Sequence, residues 1–215
     1  MRLAAEGLSC RRGARLLFEG LDVSVPAGHA LVVTGPNGTG KSSLLRILAG
    51  LAAPEAGQVR LEGVEEPERV GGHAHYLGHL DAHKLALSAQ ENLAFWRDML
   101  GRPGLSVDEA MEEVGLGGLG ALPAAVLSAG QKRRLALARL LVADRPLWLL
   151  DEPTTALDRQ AQASFSALAR AHLETGGLMV AATHAPLDLT PSFELDLGAF
   201  RPRRPAALAP AEASF

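Results

Sequence analysis

The sequence predicts an α/β fold with a mostly parallel core sheet, and three observations carry that prediction. Short apolar runs, Leu31 to Thr34, Leu147 to Leu150 and Leu178 to Ala182, each stop at a polar or glycine-containing turn, as strands buried on both faces do. A glycine-rich loop, Gly35 to Ser42, joins the first run to SLLRILAGL, which has helical periodicity. Between the first and second runs, ENLAFWRDML and SVDEAMEEVG show helical spacing broken by Gly101, Pro103 and Gly104, so a helical insert is expected at about 85–142. In such a fold, functional groups collect at the carboxyl ends of the strands.

With 215 residues, 47% of them apolar, the chain can bury the core of one large domain. Residues 1–200 are read as that domain, and the Pro- and Ala-rich segment from Arg201 onward, which has no periodicity, as a loose tail over 201–215. A formal net charge of −3 leaves no basic footprint for nucleic acid or an anionic membrane surface. The single Cys10 can form neither an internal disulfide nor a zinc-binding cysteine cluster, which favours a reducing, cytoplasmic setting. No stretch approaches the roughly 20 apolar residues of a membrane-spanning helix, and the start, MRLAAEGLSCRRG, lacks the apolar core of a signal peptide. Any path across a membrane is therefore expected in another chain.

The first chemical motif is the loop Gly35, Pro36, Asn37, Gly38, Thr39, Gly40, Lys41 and Ser42. Its glycines let successive backbone N–H groups turn inward, and the following helix adds its positive N-terminal end, which together make a phosphate cradle. Lys41 is expected to reach the β- and γ-phosphates of a nucleotide and Ser42 to coordinate Mg2+; Ser43 follows on the same helix. The second motif is the run from Leu147 that ends in Asp151 and Glu152. Alone, such a run is equally a cap or a surface ion pair. With a phosphate loop upstream, Asp151 is expected to hold the metal and Glu152 to polarise the attacking water.

The third segment is Leu127-Ser128-Ala129-Gly130-Gln131, and a helix is expected from about Ser128 to Val142, with the serine as its cap. Lys132, Arg133 and Arg134 fall in its first turns, at the positive end of the helix. A nearby anion and a simple solvated face account for them equally well.

In this order and spacing the three motifs resemble those of ATP-binding-cassette proteins, whose signature LSGGQ is matched here with Ala129 in place of the first glycine. The resemblance implies a P-loop NTPase cassette, with an antiparallel β subdomain and a helical insert subdomain beside the core sheet, that hydrolyses ATP with Mg2+. It implies a homodimer in which Ser128, Gly130 and Gln131 bind the γ-phosphate held by the other protomer. It also implies that Asp158, in TALD after the acidic strand, contacts that protomer, and that His184, at the end of an apolar strand, touches the γ-phosphate. An aromatic residue usually stacks on adenine ahead of the phosphate loop. The alignment puts Arg12 there, whose planar guanidinium can also stack.

Where the family carries a glutamine, this chain reads Tyr76-Leu77-Gly78-His79. That segment, with Lys84, LxLSAQENL and LSAGQKRR, resembles the ATPase subunits of the bacterial cytochrome c maturation system, described as haem exporters, over about Leu3 to Leu197. The likeness implies a peripheral protein on the cytoplasmic face of the inner membrane, bound to integral partners that handle haem, with His79 near the nucleotide. His73, His75, His79 and His83 fall within eleven positions, His73 and His75 on one strand face, but no acid or cysteine set completes a metal site. The competing readings are an ATPase of another transporter, a soluble cassette acting on ribosomes or nucleic acid, and a small-molecule kinase, which would have no use for LSAGQ.

Overall fold

The apolar runs sit at the centre of the molecule because both faces of each are covered. The computed structural model describes residues 1–190 and 192–202; most of the expected tail lies outside them. Two sheets form. Strands β1 (Arg2–Arg12), β2 (Arg15–Pro26) and β4 (Ala56–Glu62) make an antiparallel sheet in the order β2-β1-β4. Strands β3 (Ala30–Thr34), β5 (Ala74–Leu77), β6 (Leu147–Asp151), β7 (Leu178–Ala182) and β8 (Ser192–Asp196) make a parallel sheet in the order β5-β6-β7-β3-β8.

Side chains alternate between two cores across the parallel sheet. Leu147, Leu149, Leu178 and Val180 face one core, shared with the antiparallel sheet and helix α1 (Lys41–Leu48). Trp148, Leu150, Met179 and Ala181 face the other, shared with α2 (Ala89–Leu100), α3 (Val107–Glu113), α4 (Ala129–Ala138) and α5 (Arg159–Glu174). Leu44, Leu45 and Leu48 of α1 are fully buried, and each contributes about 1.5–3 kcal/mol of apolar burial.

Helix starts follow local chemistry. Ser88, Ser106 and Ser128 each accept from the backbone N–H three residues on, while Glu91, Glu109 and Gln131 accept from the backbone N–H of those serines. These are reciprocal capping boxes. α4 stops at Ala138, short of the expected Val142, because the next residues turn so that Gly104 and Leu105 donate to the Val142 and Leu141 carbonyls. His73 does not share a strand face with His75: it closes a 3-10 turn, Val70–His73, and only His75 lies in β5.

Candidate active site

Register places the site. Val33 of β3 and Asp151 of β6 both pair with Ala182 of β7, so three strands end in one row and their following segments share one edge. That edge bounds a cleft of about 470 Å3 with the phosphate loop on one side and Asp151, Glu152 and His184 on the other. His79, from the loop after β5, and Arg12 and Arg15, from the tip of the β1–β2 hairpin, complete the rim.

Within the loop, Gly40 has φ 108, and a Cβ there would come within 3.2 Å of Leu17 and Phe18. A side chain is thus disfavoured by the backbone and crowded by both neighbours. Gly40 also brings no side chain to cap α1, leaving the N–H groups of its first turn to an anion. Gly35 (φ 127) passes so close to the segment after β8 that a Cβ would lie 3.2 Å from the Gly198 nitrogen. Pro36 accepts from the buried Thr39 hydroxyl at 2.9 Å, which fixes the loop's curl. Lys41 Nζ donates to the Gly35 carbonyl at 2.7 Å and to His184 Nε2 at 3.0 Å, and Asn37 Oδ1 lies 3.0 Å from the same ring nitrogen. Asn37, Gly38, Ser42 and Ser43 line the cleft beside the lysine.

Asp151 is buried, 5% exposed, and among the described residues no donor bonds its carboxylate. The carboxylate opens to the cleft with no such donor on it, and a cation there would balance its charge. Ser42 opens into the same cleft, and a carboxylate with a hydroxyl suits a hard divalent ion such as Mg2+. Glu152 has φ 49, a left-handed backbone that is rare for a residue with a side chain. Its N–H continues the sheet to the Ala182 carbonyl (2.8 Å), while its carboxylate turns back to accept from Thr183 Oγ1 (3.2 Å) and approaches His184 Nε2 at 3.9 Å.

The signature residues lie apart from this cleft. Ser128 and Gln131 satisfy one another in the capping box at the exposed start of α4. Gly130 packs so closely that a Cβ would sit 3.0 Å from the Ala156 carbonyl. Asp158 is exposed and caps α5 by accepting from the Ala161 N–H at 2.8 Å. Ala129 and Arg133 line a smaller cavity of about 220 Å3 that reaches His79 and Glu152.

The basic triplet after LSAGQ is committed to the protein's own oxygens. Lys132 donates to the Ala125 carbonyl and Arg134 to that of Gly115. Arg133 is buried against backbone carbonyls and Asp81, its Nη1 2.7 Å from Oδ1. Of the two readings left open for these charges, Arg133 follows the first, its anion being Asp81 of the same chain, while Lys132 and Arg134 bond backbone carbonyls. The histidines disperse. His73, His75 and His83 pair through Nε2 with the carbonyls of Glu65, Ala143 and Lys132. Burial pushes His75 down to about 3, and the nearby Arg139 and Arg145 push it the same way. Burial likewise lowers Arg139 to about 10, although its guanidinium stacks on Trp96 and donates to the Tyr76 carbonyl.

Sequence reasoning missed Arg15, Thr183 and the bonding of Arg133. Arg15 was findable: Gly13 marks a hairpin tip, and Arg12 and Arg15 are cross-strand partners. Thr183 precedes His184 on a segment already singled out, but its bond to Glu152 spans 31 positions.

A sequence-family model described as ABC transporter matches residues 18–155. The cytochrome c biogenesis ATP-binding export protein CcmA of Nitrobacter winogradskyi is 54% identical over 198 residues, 92% of this chain and 98% of that one. Its namesake from Rhizobium meliloti is 52% identical over 208 residues, 93% of this chain and 99% of that one. Among solved structures, an ABC transporter ATP-binding protein from Pyrococcus furiosus superposes with a TM-score of 0.81 at 22% identity, covering 94% of this chain and all of that one. A dimeric ATP-binding cassette in a post-hydrolysis state with ADP and Pi superposes at 0.77 and 21% identity, covering 91% and 95%. These two speak to the fold alone.

Proposed function

Because this chain belongs to the ABC transporter family, and within it to the cytochrome c biogenesis ATP-binding export proteins, we propose that its ATPase activity drives an inner-membrane cytochrome c maturation complex, powering haem export or release of a haem-loaded chaperone. The observation that carries the ATPase reading is the single cleft in which Lys41, Ser42, Asp151, Glu152 and His184 meet. Lys41, held between a loop carbonyl and His184, neutralises the β- and γ-phosphates, and the free backbone N–H groups of the loop and of the first turn of α1 bind their oxygens. Ser42 and Asp151 would hold Mg2+, which supplies charge neutralisation at the transferred phosphoryl group. Glu152 accepts a proton from the attacking water, oriented by Thr183 and the turn that carries it. His184, bonded to Lys41, faces the γ-phosphate, and Arg12 stacks on the base.

Ser128, Gly130 and Gln131 stand outside their own cleft, and that placement supports a homodimer in which they complete the partner's site, with Asp158 at the seam. In this reading residues 1–200 act as one ATPase domain, and the insert at about 85–142 and the His79 loop pass the dimer's motion to integral membrane subunits. Among the described residues no helix is long and apolar enough to cross a membrane, in keeping with attachment at the cytoplasmic face through partners. The test is purification from membranes of the source organism, with ATPase activity measured with and without the proteins that accompany the chain. Recovery with cytochrome c maturation membrane proteins and bound haem supports the reading. Recovery with unrelated permeases removes haem, and recovery with ribosomes or nucleic acid removes the membrane complex.

A further inference from the structure

We propose that Arg133 is a positioning residue for Glu152, a buried guanidinium that holds the turn presenting the glutamate and ties it to both α4 and the loop after β5. The proposal rests on the reading of Glu152 as the group that activates water. Its geometry is independent of that reading.

Glu152 is held at φ 49, a conformation unfavourable for a residue with a Cβ. Such strain persists only where the surroundings fix it. The kink turns the carbonyls of Asp151, Glu152 and Pro153 toward one point instead of alternating sides, and Arg133 occupies that point. Nη2 donates to Asp151 O (2.8 Å) and Glu152 O (2.6 Å), and Nε donates to Pro153 O (3.1 Å). Nη1 turns to the loop after β5, donating to Asp81 Oδ1 (2.7 Å) and Gly78 O (3.4 Å). An arginine has five N–H donors, and here every one has an acceptor. A lysine has three donors on one point and cannot span both groups.

The side chain is 6% exposed, so the ion pair with Asp81 is screened little by water or salt. Arg133 also lies five positions after Ser128 on α4, which links the signature helix to the catalytic turn through one side chain. If α4 or the 78–81 loop shifts, the carbonyl cluster loses its clamp and Glu152 moves off its line.

The experiment is single-turnover ATP hydrolysis by the full chain carrying Arg133→Lys, Asp81→Asn or Glu152→Gln, and by each of the first two combined with Glu152→Gln. ATP affinity and thermal melting are measured in parallel. Arg133→Lys is expected to slow hydrolysis about 100-fold, the loss that a displacement of about 1 Å produces, with ATP affinity changed less than about threefold. Asp81→Asn keeps the carbonyl bonds and is expected to slow it about 10-fold. The deciding readout is the combination: in the Glu152→Gln background neither substitution slows hydrolysis further, because each acts through the carboxylate already removed. Losses that multiply in that background, or that follow ATP affinity or melting temperature, overturn the proposal while leaving Glu152 in its role. Normal turnover by Glu152→Gln alone overturns the base assignment instead. If Arg133→Lys does not fold, the Asp81→Asn pair decides alone, by the same criterion.

Discussion

If the cleft is completed by a second copy of the chain, two crippled variants should rescue one another. Lys41→Met removes the ammonium that bonds Gly35 O at 2.7 Å and disables the phosphate loop of its own protomer. Ser128→Arg places a bulky cation at an exposed position outside the cleft. It gives up the 3.2 Å bond from the Gln131 N–H, a helix-cap loss of about 1 kcal/mol, so the variant should fold and still bind ATP. Each variant alone is expected to hydrolyse at least about 100-fold more slowly than the unaltered chain, the scale on which anion-stabilising donors are lost. A mixed dimer is different. It pairs the intact loop of the Ser128→Arg protomer with the intact signature of the Lys41→Met protomer, giving one good site of two. Random exchange at equal concentrations makes about half the dimers mixed, so about one quarter of normal activity should return in a two-fold symmetric assembly with independent sites. Phosphate release is followed while the mixing ratio is varied at constant total protein. The activity should peak at equal proportions. A mixture no faster than the sum of its parts, over concentrations where the unaltered chain is active, would refute the shared site. Substantial activity of Ser128→Arg alone would refute the role of the signature.

Three further outcomes follow from the geometry. Glu152→Gln keeps an amide oxygen to accept from Thr183 and loses only the base, so turnover should fall by about 10²- to 10⁴-fold while ATP now holds the dimer together; sedimentation with and without ATP checks the second half. Gly40→Ala forces a Cβ to within 3.2 Å of Leu17 and Phe18 at φ 108 and should abolish nucleotide binding, measured by equilibrium titration. His75, held neutral down to about pH 3, should make the protein acid-sensitive. Below its ordinary value of 6.5 the unfolded chain takes up a proton that the folded chain refuses, so stability falls as pH drops from 6.5 toward 3, by about 2 kcal/mol at pH 5. His75→Gln should flatten that slope in urea melts at pH 7 and pH 5; an unchanged slope would assign the acid sensitivity elsewhere.

The legible parts of this fold were those whose physics is local. β3, β6 and β7 announced themselves because burial on both faces forces unbroken apolar runs. β4 and β8 did not, since most of their residues are intermediate or exposed. The antiparallel sheet was visible only through family likeness: register shifts between Ala5 and Leu8 and between Cys10 and Arg11 break the alternation in β1 that would mark it. The site followed the same rule. Each motif was read from contiguous residues, and register then brought their ends into one row. Arg133 could not be read this way, because its acceptors lie 18 to 55 positions away, and its charge alone suggested only solvent or an anion.

Strain and clamping meet in the loop between β6 and α5. Glu152 and Ala156 both have positive φ, 49 and 64, which local preference opposes at each position. Both are braced from α4. Arg133 gathers the carbonyls around Glu152, and the backbone at Gly130 lies so close to the Ala156 carbonyl that a methyl group would crowd it. This distinguishes two neighbours that look alike in the signature. Ala129 is exposed and tolerates a methyl group where the family usually has glycine, whereas Gly130 has no such room. The first turns of α4 therefore both cap a helix and hold the loop that carries the Glu152 carboxylate, so a displacement of this helix would reach Glu152 through bonds already formed.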